Sequence, residues 1–96
     1  MKLVRDFIPA IIAKSGDQCE WKYVQGKQQF FDFLKEKMEE ETQEFVEKPS
    51  AEEAADMLEV LMTFIDLNGI SYDDVEAARQ NKYMTNGGFK SGIILM

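Results

Sequence analysis

Four carboxylates, Glu41, Glu44, Glu53 and Asp56, have the types and spacing to hold a hard metal ion. They form two pairs, each three residues apart, and on a helix such pairs share a face. Charges of one sign brought to a single point expel one another or bind protons unless a cation sits among them. Donors that are all oxygen select Mg²⁺, with Mn²⁺ also suitable. Acids are frequent here, 18 of 96 residues, so spacing alone is weak support. Seven acidic pairs at i,i+3 occur where composition predicts roughly three. Most, including Glu36/Glu39 and Asp73/Glu76, are expected to be solvated helix surface. Position must single out the other two.

The first pair sits on a predicted long helix over residues 27–48, uninterrupted by Gly, Pro or Asn and ended by Pro49. Its apolar stripe is Phe30, Phe31, Leu34, Met38 and Phe45, at steps of three and four. At about 100° per residue, Glu41 falls inside that arc and Glu44 at its margin. An unpaired carboxylate in such a seam is costly. Surface charge does not explain Glu41.

The second pair sits on the next helix, where Ser50 and Glu53 form a capping-box pattern and Asn68-Gly69 provides the stop. Its main apolar face holds Ala54, Leu58, Leu61, Met62 and Ile65, widened by Val60, Phe64 and Leu67. The polar seam is Glu52, Glu59, Thr63 and Asp66. Glu53 and Asp56 lie outside it, on the line through Val60 and Leu67. Glu53 has a simpler reading as the capping partner of Ser50. The short Lys48-Pro49-Ser50 connection predicts antiparallel packing. Counted from Pro49 at about 1.5 Å per residue, Glu44 stands level with Glu53 and Glu41 with Asp56.

The remaining elements are slighter. Residues 3–14 read as a short amphipathic helix through Leu3, Ile8, Ile11 and Ile12, with Pro9 near its first turn. In residues 15–26, Cys19, Trp21 and Tyr23 alternate as in a short strand or extended loop. Ser71 caps a further helix to about Met84, and Asn86-Gly87-Gly88 turns the chain into an apolar tail, Phe89 to Met96. The fold class is therefore all-α: an antiparallel helical hairpin with two shorter helices, in a single domain over residues 1–96. A chain of this length buries only roughly 60–65% of its unfolded surface, so assembly into a multi-helix bundle in a homo-oligomer is expected.

Composition removes several chemistries. With no His, Ser-His-Asp and Cys-His nucleophile systems and imidazole zinc sites are excluded. A single Cys19 makes no internal disulfide, which suits a reducing, cytoplasmic compartment. Arg5, Asp6 and Pro9 interrupt the N-terminal apolar residues, so neither a signal segment nor a membrane span is expected. A net charge of −7 opposes binding of a nucleic acid polymer through a basic face. No P-loop is present, because GGFKS lacks G-x-x-x-x-G-K.

Together, KMEEETQEF and EEAADMLEV resemble the E-E-x-x-E … E-x-x-D signature of MazG-like all-α NTP pyrophosphohydrolases. KLVRDFIPAII and NKYMTNGGF are similar to the phosphoribosyl-ATP-pyrophosphohydrolase-like branch of that superfamily, and the likeness runs in order along nearly the whole chain. The resemblance implies metal ligation by Glu41, Glu44, Glu53 and Asp56. It also implies Mg²⁺-dependent cleavage between the α and β phosphates of a nucleoside triphosphate, giving the monophosphate and pyrophosphate. Glu40 matches the first acid of the family pair, as an outer-shell residue or water base, and Lys82 matches a lysine near the phosphates. A homodimer or homotetramer is implied as well. The pattern departs from the family at Asn86, where Arg often precedes Gly-Gly-Phe, and in the short gap from Glu44 to Glu53.

Other residues carry two readings each. Trp21 and Tyr23 either stack on a nucleobase or pack as core, and Arg5 either pairs with Asp6 or contacts phosphate. Lys82 is a phosphate ligand or a solvated lysine, and Lys37 is placed to pair with Glu41 or Glu40. The competing function is a non-catalytic helical oligomeric adaptor, or a nucleotide-binding module of the same fold.

Overall fold

The computed structural model describes residues 1–96 and is all-helical. Its four helices are α1 (Ile8–Lys14), α2 (Gly26–Glu47), α3 (Ala51–Leu67) and α4 (Tyr72–Asn86). No helix is long and apolar enough to cross a membrane.

Local chemistry sets most helix ends. The Ser50 hydroxyl accepts the Glu53 N–H at 3.1 Å and starts α3. At its other end Gly69 adopts φ 67°, which a side chain would resist. There Ile70 N–H donates to Ile65 O and Gly69 N–H to Asp66 O, closing the helix with a Schellman pair. Ser71 caps α4 through the amides of Asp73 and Asp74. On α4, Arg79 hydrogen-bonds Glu76, and with Gln80 holds its carboxyl down at about 2.

One sequence expectation is corrected and one open alternative is resolved. The first helix begins at Ile8 rather than at residue 3. Pro9 has no N–H to give and therefore sits in the first turn, leaving residues 3–7 outside. Of the two readings of Cys19, Trp21 and Tyr23 the extended loop holds, since no second strand exists to take their backbone hydrogen bonds. Trp21 and Tyr23 instead stack edge to face at 5.2 Å, both exposed, and Cys19 is free and exposed.

Only α2 and α3 share an extensive interface. Leu34 (1% exposed) and Ile65 (9%) are its buried apolar residues, and Phe31 meets Phe64 edge to face at 5.5 Å. The α3 face is not the one with the most hydrocarbon. Leu58 and Leu61 remain 56% and 45% exposed, while Glu53, Asp56, Met57, Val60 and Phe64 are part-covered. Beyond Ser71 every residue is exposed, and Tyr72 Oη donating to Met62 O ties the start of α4 to α3.

The chain is elongated, 53 × 31 × 24 Å, with a radius of gyration of 17.1 Å against roughly 12.5 Å for a compact domain of this length. Its accessible surface is 8628 Å², some 2,900 Å² (about half as much again) above the ~5,700 Å² usual for this mass.

Candidate metal centre

Glu41 projects from the C-terminal third of α2 towards α3 and is 6% exposed, the only charged residue to be buried. The periodicity that puts Leu34 in the core continues through residue 41, and this turn meets the N-terminal half of α3. There Glu53 and Asp56 occupy successive turns. One carboxylate oxygen from each of Glu41, Glu53 and Asp56 lies within 4.8 Å of the others. Oε2 of Glu41 and Oε2 of Glu53 are both buried with no hydrogen-bond partner. Orphaned buried carboxylate oxygens are rare and costly in native structures. A divalent cation would satisfy both, so the donor set fits Mg²⁺ or Mn²⁺. Capping alone does not account for Glu53, because the cap uses its backbone N–H and leaves Oε2 unpartnered.

Glu44 is exposed at the rim and does not join the triad. The charge of Glu41, then partial desolvation, then the charges of Glu53 and Glu40, push its carboxyl above the usual glutamate range. A raised folded value means that this group favours the fold below the ordinary glutamate pKa. That contribution is lost as pH rises through the folded value. A cation between the acids should reverse the shift. Carboxyl-carbon NMR is expected to show Glu44 titrating above ordinary glutamates without Mg²⁺ and falling when Mg²⁺ is added. An unmoved titration would remove Glu44 from the cluster's field.

Two basic side chains flank the acids. Lys37 Nζ lies 3.3 Å from Glu40 Oε2 and 3.4 Å from Glu41 Oε1, so both pairings read from the sequence occur together. Burial works against the charge of Lys37, but the bonds and charges of Glu40 and Glu41 outweigh it and hold the ammonium above its ordinary pKa. Arg5 does not pair with Asp6. Its guanidinium donates to Asp56 Oδ1 at 2.6 Å, across 51 residues.

Beside the acids a cleft of about 410 Å³ opens between the N-terminal segment and the α2–α3 pair. Phe7, Ile8 and Phe30 supply apolar wall, and Arg5, Glu41 and Asp56 supply its charged side. Lys82 and Trp21 do not line it; within one chain both stand exposed on other segments. Sequence reasoning missed the Arg5–Asp56 pair and the cleft beneath residues 3–11. No local pattern marks a contact between residues so far apart.

No protein-family model matches the chain, and neither the curated proteins nor the solved structures give a match.

Proposed function

We propose that this protein is a Mg²⁺-dependent nucleoside triphosphate pyrophosphohydrolase of the MazG-like kind, working in the cytoplasm as a homodimer or homotetramer. The observation that carries this reading is the pair of buried, unpartnered oxygens on Glu41 and Glu53 beside Asp56. A chain without such a cation gains nothing from burying them. The resemblance of four segments to that superfamily adds the substrate class.

The proposed scaffold is an antiparallel α2–α3 hairpin. Phe31 against Phe64 and Glu41 near Glu53 and Asp56 agree with helices running back along each other from Lys48-Pro49-Ser50. The excess exposed surface, with Leu58 and Leu61 uncovered, supports assembly into a larger bundle. Such excess is of the order that an obligate interface buries.

In this reading Glu41, Glu53 and Asp56 hold the cation, and Glu44 stands at the rim within reach of its field. When bound, Mg²⁺ supplies neutralising charge for the triphosphate and activation of water. Glu40, held by Lys37 through Oε2, offers its other oxygen to take the proton from the attacking water. Water adds to phosphorus, the α–β anhydride breaks, and nucleoside monophosphate and pyrophosphate leave. Arg5 and Lys82 offset charge on the departing pyrophosphate. Because Lys82 lies outside the cleft of its own chain, its role depends on the assembly. Trp21 offers a stacking face for the base.

The test is pyrophosphate release from a panel of NTPs and dNTPs, with Mg²⁺ and with EDTA. Release that EDTA abolishes is expected. A folded protein that turns over no nucleotide would favour the adaptor reading.

A further inference from the structure

We infer that residues 1–14 form a strap held on the acidic cluster by Arg5, and that cation binding releases it; this rests on the metal-dependent reading above. The Arg5–Asp56 pair is the only hydrogen bond or ion pair that ties residues 1–14 to α2 or α3. The apolar attachment is partial: Leu3, Ile8 and Ile12 are part-covered, while Val4, Phe7 and Ile11 stay exposed even where they wall the cleft. That pair is therefore the one polar tie that adds to this partial apolar cover in holding the strap down.

That tie ends on a candidate cation ligand. Arg5 donates to Asp56 Oδ1, and Asp56 is one of the three carboxylates with mutually close oxygens. Ligation would neutralise most of the Asp56 charge that attracts the guanidinium. Both partners are more than a third exposed, so the pair is weak and readily exchanged. Lys37 differs. It is partly buried, has Glu40 as a second partner, and stays in place when Glu41 turns to a cation. In the cation-free protein Arg5 is thus a resident counter-ion. In the loaded protein it becomes a free guanidinium at the cleft mouth, suited to a polyphosphate anion. An anion that draws Arg5 from Asp56 would raise cation affinity, since coupling between two ligands is reciprocal.

The chain contains two arginines, Arg5 and Arg79, and Arg79 is paired with Glu76 on α4. NMR of the guanidinium Nε–Hε groups during a Mg²⁺ titration of the full chain therefore has an internal control. The Arg5 signal is expected to shift as Mg²⁺ saturates and the Nη2 bond to Asp56 is lost, while Arg79 stays still. Mn²⁺ affinity should rise about two- to fivefold in Arg5→Gln, the reach of a competing exposed ion pair. Lys2→Gln, an equal charge change on the same segment, should not reproduce that rise. Glu41-dependent cation binding with an unmoved Arg5 signal, or equal affinities in the two variants, overturns the strap and leaves the metal centre standing. Absence of any Glu41-dependent binding overturns both.

Discussion

Glu41→Gln is expected to cut Mg²⁺-dependent pyrophosphate release about a hundredfold or more, since losing even an outer-shell partner of a metal costs up to that much. Glu41→Met should do the same and, without cations, raise the melting temperature. The two effects share one cause. Glu41 buries a carboxylate whose Oε2 has no partner, and an unsatisfied buried group costs about 1–3 kcal/mol. Methionine fills similar volume without that cost, and Lys37 keeps Glu40 at 3.3 Å. Each kcal/mol is worth about 4–8 °C in a domain of this size. Calorimetry at one protein concentration, alongside the release assay, reads both. A variant that keeps activity, or melts below the cation-free parent, contradicts the assignment. The predicted opposition matters because a residue kept for packing alone would lose stability on replacement.

Replacing Leu58 and Leu61 together by Asp is expected to break the assembly and abolish cooperative folding. Only Leu34, Ile65 and Glu41 are buried in the single chain, far too little core to offset the ordering of 96 residues. In the proposed homo-oligomer the missing burial comes from another copy, and Leu58 and Leu61 are the large apolar side chains left open on the helix that carries Glu53 and Asp56. Light scattering of the parent should give a multiple of 11.1 kDa, with a melting temperature that rises with protein concentration. The double variant should run as a monomer and lose most of its helical circular dichroism. Were these leucines ordinary surface, the change would stay within about 0.5 kcal/mol each. A monomeric, stably folded parent would defeat the prediction outright.

Much of the fold was legible from residues close together in the chain. Ser50 and Ser71 cap helices because a hydroxyl three residues or fewer away satisfies free amides, and Gly69 ends α3 because it accepts φ 67°. The burial of Glu41 was legible too, since a spacing of seven residues, about two helical turns, puts it on the same face as Leu34. The sequence was ambiguous where an element depends on a distant partner. The alternation of Cys19, Trp21 and Tyr23 suits a strand, yet no neighbouring strand completes it. Leu58 and Leu61 look like core, yet α2 covers a different side of α3.

The all-α class, the helix limits near Pro49, Asn68 and Gly87, and the odd placement of Glu41 follow from the amino-acid order itself, because capping and periodicity act within a turn or two. Tertiary structure alone decided that Arg5 meets Asp56, that Glu44 stays at the rim while Glu53 joins Glu41, and that residues 3–11 roof a cleft. Those outcomes depend on how α2 and α3 rotate against each other and where the N-terminal segment lies across them. Rotation of that kind is set by the summed contacts of a whole interface, and no short stretch of sequence encodes it.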